Sequence, residues 1–439
     1  MQPVDLRIDA HWIVPVEPAG TLTGHALIVD GGRIVALVPA AEADARYAPR
    51  ETRDLPSHVL IPGLVNAHTH SAMTLMRGIA DDVPLKPWLT DHIWPREGRF
   101  VSPDFVFDGT LLACAEMLRG GVTACNDMYF YPDDSARAYD SAGMRALIGA
   151  PVLDFPTAYA ADPDAYIARG LAARDAWRRA PLLGFALAPH APYTVGDETF
   201  GKVVMYARQL DLPIQTHLAE TREEVDNAIA ATGATTLARL DRLGVTGPTF
   251  IAIHAVHVNE HDIALLARQG CHVVHCPASN MKLASGIAPI PALVAAGINV
   301  ALGTDGAASN NRLDIFSEMR LAGLLAKVAS NDAAALPAPT VLAMATINGA
   351  RALGIDAVAG SLVPGKDADL VAVDLSGVSI QPVFDPLSHL VNAAGRECVT
   401  DVWVRGKAIV DRRALLTIDE PAVLARTRAW QHKLATSAK

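Results

Sequence analysis

Pro62-Gly63-Leu64-Val65-Asn66-Ala67-His68-Thr69-His70 is an apolar run that ends in two imidazoles one residue apart. On a strand, residues i and i+2 point to the same face, so His68 and His70 stand side by side at its end. The pattern recurs downstream. Further apolar runs end near Asp127, Leu153, His190, His217, His254, His275 and Asp305, with helix-length amphipathic segments such as 104–119, 164–179, 198–209, 222–242, 259–268 and 314–329 between them. Eight such runs in about 240 residues have the number and length of a (β/α)8 barrel, whose functional groups sit at the C-terminal strand ends. An open doubly wound sheet would place a Gly-rich phosphate loop after its first strand, and none follows here.

Outward from this centre the pattern changes. Residues 1–58 read as short strands, with His25–Asp30 and Arg33–Val38 joined by Gly31-Gly32, two residues that supply the positive φ of a hairpin turn. At the other end, Asp369–Val373 reads as a strand, and Val399–Val404 and Ala408–Asp411 form a hairpin around Arg405-Gly406-Lys407. Neither end has enough strands to bury a sheet face alone, so the two are expected to pair into one small β-structure.

Of the 439 residues, 51% are hydrophobic and 19% charged, which provides a large core and argues against disorder. Lys and Arg number 37 against 47 Asp and Glu, and the resulting net charge of −10 speaks against nucleic acid or an anionic membrane as a broad-surface partner. The cysteines, Cys114, Cys125, Cys271, Cys276 and Cys398, sit in or beside apolar runs and form no CxxC, as expected of buried reduced thiols. The N-terminus lacks the basic start and apolar segment of a signal peptide, and no apolar run reaches the ~18–20 residues of a spanning helix. A soluble cytoplasmic protein is the expectation.

A bare HxH is a weak signal; the rest of the set strengthens it. Leu212-Pro213-Ile214-Gln215-Thr216-His217-Leu218-Ala219-Glu220 ends a later strand with a third imidazole and a glutamate three residues on. Val300-Ala301-Leu302-Gly303-Thr304-Asp305-Gly306 ends the last strand with an aspartate. Three histidines and one carboxylate at barrel strand ends make a nitrogen/oxygen site suited to Zn2+, with a water completing the coordination.

With these residues the chain resembles the amidohydrolase superfamily and, within it, the 5′-methylthioadenosine/S-adenosylhomocysteine deaminases. The matching stretches are PGLVNAHTHSAMTLMRGIADD, GMRAL, APHAPY, THLAET, CPASNMKLASGIAPI, LGTDGAASNN, IFSEMRLA and GSLVPGKDADLVAVDL, spread over nearly the whole chain. The resemblance implies a distorted (β/α)8 barrel over 61–361, with a small β-sandwich composed of 1–60 and 362–439. It implies one Zn2+ per subunit held by His68, His70, His217 and Asp305, a purine nucleoside as substrate, and a homo-oligomer, a dimer. Glu220 is similar to the family's acid/base residue, His254 to the histidine that orients the attacking water, and Asp305 to the acceptor of that water's proton. His190 and Glu97 are similar to ribose contacts, and Trp88, with Leu89, is placed to wall the 5′ substituent. His257 competes with His254, but the apolar run Phe250–Ile253 makes His254 the strand-end residue. Glu223 and Glu224 read as first-turn helix carboxylates.

Several alternatives meet these same residues. A related deaminase or chlorohydrolase acting on guanine, cytosine or a triazine would share most of the metal set. A metal-free binding barrel would have lost a ligand or Glu220. Binuclear members bridge two metals with a lysine at the end of the fourth strand, where His190 stands here, and the short cytidine deaminase type needs HxE and PCxxC, which do not occur. Some members of the resembled family carry an arginine at the end of the third strand to pair with the homocysteine carboxylate. The matching Ile148-Gly149-Ala150-Pro151-Val152 has none, so a preference for the uncharged methylthio substituent is expected, unless Arg169 or Arg174 compensates.

Overall fold

A computed structural model describes residues 1–435. Eight strands, Leu64–Thr69, Val122–Met128, Arg145–Val152, Leu183–Pro189, Ile214–Leu218, Phe250–His254, His272–His275 and Asn299–Leu302, pair in chain order as one parallel sheet. They are barrel strands one to eight. Nearly every residue in them is buried, because helices cover the outer face of a parallel sheet while side chains fill the inner one. The interior is narrow and lined by small and branched residues, among them Ala67, Ala124, Ala186, Ile251, Val274 and Ala301. A hydrogen bond donated by Asn126 Nδ2 to Gln215 Oε1 (2.8 Å) crosses it from strand two to strand five.

The barrel is distorted at two places. Strands four and five share a single register pair, Leu187 with Ile214. Strands eight and one are joined at their ends by Asp305 N–H donating to His68 O (3.0 Å) and Thr304 N–H to Asn66 Oδ1 (2.9 Å). Gly303 is required at this closure, since a Cβ there would stand 2.9 Å from His68 Cβ and backbone N. The expected helix over 222–242 is two helices, Arg222–Thr232 and Thr236–Arg242. Left-handed Gly233 (φ 71°) ends the first, and Thr235 caps the second by accepting from Ala238 N–H. After strand one, Leu85–Pro87, a π-helical Trp88–Ile93 and Trp94–Phe100 follow one another without a break.

Both chain ends enter one further sheet, ordered Ala414–Leu415, Lys407–Asp411, Val399–Val404, Leu370–Asp374, Tyr47–Pro62, Gln2–Ile13, His25–Asp30, Arg33–Pro39. The hairpin glycines Gly31 and Gly32 have φ of 57° and 79°, as the turn requires. Two of the N-terminal strands are long rather than short. Tyr47–Pro62 runs parallel to Gln2–Ile13 and antiparallel to Leu370–Asp374, with Leu60 opposite Ala372. Ile8, Leu27 and Leu60 from the first end share an apolar cluster with Leu370, Ala372 and Trp403 from the second. Arg145, at the start of strand three, ties this sheet to the barrel through buried ion pairs to Asp369 (2.6 Å) and Asp367 (2.5 Å).

The final helix, Glu420–Ala435, returns to the barrel. Trp430 packs edge-on against Phe105 and donates to Asp108 Oδ2 (2.9 Å), and with Leu434 it joins the cluster that holds Met73, Met76 and Trp88. Among the described residues, no helix is long and apolar enough to cross a membrane.

Candidate active site

Val65 and Ala67 face the barrel interior, so unbroken alternation would turn His68 and His70 outward. An irregularity in the pairing with strand two, between Asn66 and Thr69, changes the phase, as a bulge does. The rings of His68 and His70 therefore lie beside that of His217, centroid to centroid 5.1 and 5.4 Å. Asp305 completes the group, with Oδ1 3.5 Å from His68 Nε2 and 3.3 Å from His70 Nε2.

The hydrogen bonds around these side chains define which atoms face inward. His70 Nδ1 lies 2.6 Å from Met128 O and His217 Nδ1 2.7 Å from His190 O. A carbonyl only accepts, so each Nδ1 donates and each Nε2 keeps its lone pair for the centre. Neither nitrogen of fully buried His68 has a hydrogen-bond partner among the described residues. Burial pushes His68 down to about 4 and His217 well below the usual imidazole range, so both are neutral donors near pH 7. Asp305 is held by three donors: Ser279 Oγ (2.6 Å) and Ser309 Oγ (2.8 Å) to Oδ2, and Gly306 N–H (2.6 Å) to Oδ1. Burial favours its protonation, but hydrogen bonds to the ionised form oppose it, and the carboxyl is held well below the usual range. Donor atoms of His68, His70 and Asp305 lie within 4.8 Å of one another, as do those of His68, His217 and His254. Orphaned imidazole nitrogens, inward lone pairs and an ionised carboxylate fit a divalent zinc ion.

Beside this group lies Glu220, buried, with Oε2 3.7 Å from His254 Nε2 and Oε1 3.4 Å from Ser285 Oγ. Burial raises its carboxyl above the ordinary range. His254 Nδ1 pairs with Asn280 Oδ1 (2.9 Å), and its residue is left-handed (φ 71°). Ala219 (φ 49°), Ala255 (φ 48°) and Asp305 (φ 59°) share that conformation. For non-glycine residues it costs roughly 1–3 kcal/mol each, and it clusters here where strands five, six and eight end. His257, the competitor, points elsewhere: its Nε2 meets Ser285 O at 2.6 Å.

One pocket connects these groups with the remaining expected residues: His70, Trp88, Glu97, His190, His217, Glu220, His254 and Asp305 all line it. Glu97, which alone in sequence reads as a solvated helix carboxylate, accepts from Tyr129 Oη at 2.7 Å and is raised by burial. His190 Nδ1 faces Thr194 Oγ1 (3.0 Å), whose own proton goes to Ala191 O, so His190 donates there and its Nε2 is an acceptor. Trp88 is buried, and its Nε1–H has no acceptor among the described residues. Leu89, Trp94, Phe155 and Tyr159 extend an apolar wall, and among the described residues no lysine or arginine lines the pocket. Arg169 stacks on Tyr159 (5.4 Å) and Arg174 pairs with Asp175 (2.8 Å), both outside the lining.

Sequence reasoning missed Ser279 and Tyr129, whose roles arise from long-range contacts, and Ser309, which turns back onto Asp305 four residues before it. It also read Glu224 as a plain helix carboxylate, whereas Glu224 turns back onto the backbone of Ala219 and Glu220 (3.0 and 2.9 Å).

Residues 59–409 match the Amidohydrolase family model. A 5-methylthioadenosine/S-adenosylhomocysteine deaminase of Saccharophagus degradans is 48% identical over 433 residues, 98% of this chain and 97% of that one. A 5′-deoxyadenosine deaminase of Methanothermobacter thermautotrophicus is 44% identical over 371 residues, 84% of this chain and 86% of that one. The crystal structure of an adenosine deaminase from Xanthomonas campestris with bound zinc superposes with a TM-score of 0.98 at 52% identity, covering 99% of both chains.

Proposed function

This chain belongs to the amidohydrolase family, and on the geometry of its site we propose that it is a zinc-dependent deaminase that converts the adenine of 5′-methylthioadenosine to hypoxanthine and releases ammonia. The observation that carries the reading is one pocket holding a His/His/His/Asp cluster, a buried glutamic acid beside it, and two acceptors, Glu97 and His190, farther along the wall.

His68, His70, His217 and Asp305 would hold the ion through three imidazole nitrogens and one carboxylate oxygen. Bound there, zinc supplies the Lewis acidity that brings the pKa of a water down to about 7. Asp305, ionised at neutral pH, accepts the proton of the attacking water. His254, anchored by Asn280, orients that water toward C6 of the purine. Glu220 keeps its proton more readily than an exposed carboxyl and delivers it to N1, so that charge does not build on the ring as C6 becomes tetrahedral. As that centre collapses, the proton held by Asp305 passes to the departing amino group, which leaves as ammonia, and the hydroxyl's proton returns to Glu220 as the C6 carbonyl forms. Glu97 and His190 each offer an acceptor, which suits the two hydroxyl donors of a ribose and has no counterpart need in a free base.

The apolar wall of Trp88, Leu89, Trp94 and Phe155 suits a methylthio group. Among the described residues, the zwitterionic end of S-adenosylhomocysteine would meet no lysine or arginine in this lining. One missing charged hydrogen bond is worth about 1.5–3 kcal/mol, roughly 10- to 150-fold in relative efficiency. The test is ammonia release by zinc-loaded protein, as kcat/KM for 5′-methylthioadenosine, S-adenosylhomocysteine, adenosine, guanine and cytosine. Preference for methylthioadenosine supports the reading, efficient use of S-adenosylhomocysteine overturns the argument from the wall, and activity on a free base alone overturns the nucleoside assignment.

A further inference from the structure

Glu220 stands two residues beyond the last residue of strand five, in a turn that must reverse into the helix Arg222–Thr232. Its side chain is loosely held: the hydrogen bond it accepts from Ser285 Oγ is 3.4 Å long and His254 Nε2 stands 3.7 Å away. That suits a group that must take and give a proton, and it leaves the placement of the carboxyl to the backbone. The backbone there is strained, because Ala219 is left-handed at φ 49°.

Glu224 holds this turn. Its Oε1 accepts Ala219 N–H (3.0 Å) and its Oε2 accepts Glu220 N–H (2.9 Å), so both carboxylate oxygens are spent on two consecutive amides. In an ordinary capping box the side chain at the third helical position reaches back to the N–H of the capping residue. Here the cap is Thr221, which accepts from Glu224 N–H (3.2 Å), but Glu224 reaches past it to the two residues before. A carboxylate alone offers two acceptors at this spacing. Glutamine would turn an NH2 toward one of the amides, and aspartate is one methylene shorter.

We propose that Glu224 is a positioning residue for the proton-transfer step, fixing Glu220 over the substrate ring by clamping the amides of Ala219 and Glu220. This rests on the reading of Glu220 as the acid/base group. Misplacing a reacting group by about 1 Å costs up to roughly 100-fold.

The experiment compares four zinc-loaded proteins: wild type, Glu224→Gln, Glu220→Gln and Thr221→Ala, each measured for kcat, KM for 5′-methylthioadenosine, zinc content and Tm. Expected for Glu224→Gln is a kcat lower by roughly 10- to 100-fold, with KM and zinc within twofold of wild type. Thr221→Ala, which removes the cap of the same helix and leaves both amide bonds to Glu224, should lower Tm and keep kcat. Wild-type kcat in Glu224→Gln beside an inactive Glu220→Gln overturns the inference and leaves the proposed function standing. An equal kcat loss in Thr221→Ala, or a loss in Glu224→Gln that tracks its zinc content, also overturns it, since the effect would then be helix fraying or metal release. If Glu224→Gln does not fold, Glu224→Asp replaces it with the same expectations. Near-wild-type turnover in Glu220→Gln would bring down the acid/base reading itself.

Discussion

The floor and the wall of the pocket are built on opposite plans. On the floor, polar side chains stand at strand ends, neutral or ionised as their neighbours dictate, and three of them are fixed by a further partner: Met128 O for His70, His190 O for His217, two serines for Asp305. The wall is aromatic and aliphatic, carried by the helical stretch 85–100 and the segment after strand three, and braced from behind by Trp430 and Leu434 of the final helix. In the function proposed above, the floor sets which reaction occurs and the wall which molecule undergoes it. Changes on the floor should therefore move kcat and metal content, while changes on the wall should move kcat/KM between substrates.

The sharpest division lies at Glu220. Glu220→Gln is expected to keep zinc and lose about 10²- to 10⁴-fold in kcat, the range of general acid–base transfer; turnover close to wild type would break the division at its centre. Asp305→Asn should lose zinc and activity together, by at least the roughly 10–100-fold that removing a mere orienting partner of a ligand costs. Metal analysis of the purified variant decides this, and full zinc occupancy would remove Asp305 from the ligand set. Glu97→Gln, on the wall, should leave zinc untouched and lower kcat/KM roughly 10- to 150-fold, the value of a charged hydrogen bond to a hydroxyl. A substrate analogue lacking the ribose hydroxyls should be almost insensitive to the same change, and equal losses on both would contradict the contact. Smallest of all, Phe155→Arg places a cation at the half-exposed rim and should shift the ratio of S-adenosylhomocysteine to methylthioadenosine efficiency by about two- to fivefold, the worth of a solvated ion pair. No change in the ratio would put the substituent elsewhere.

The same division separates what is legible in the sequence from what is not. The eight barrel strands read out because short apolar runs alternate with amphipathic ones, and the floor residues because His and Asp at the ends of apolar runs are rare unless something needs them. The resemblance carried Glu97, but no local pattern distinguishes it from a solvated helix residue; its burial depends on Tyr129 from strand two's far end. Ser279 looks like an ordinary serine until the fold brings it to Asp305, and Ser309 reaches that carboxylate only because the short helix Ala307–Asn310 turns its hydroxyl back. Glu224 was hidden for a different reason: an acidic residue in the first turn of a helix already has a sufficient explanation in the helix dipole, so its second task leaves no separate trace. The break at Gly233 within the expected 222–242 helix was, by contrast, readable from Gly233 and Thr235, a stop and a cap two residues apart.

The pairing of the two chain ends has a consequence for how the protein is made. Tyr47–Pro62 acquires its neighbour Gln2–Ile13 early in synthesis, but its other edge waits until Ala372 has been made to face Leu60. At ribosomal rates of roughly 5–20 residues per second, that edge stays open for roughly 15–60 s. An open edge strand is a template for pairing with other chains. The aspartates that neutralise Arg145, Asp367 and Asp369, arrive just before the strand that covers the edge. A chain that stops short of residue 367 thus carries both an uncovered edge and an unpaired cation at the seam, features by which chaperones and proteases can recognise an unfinished product.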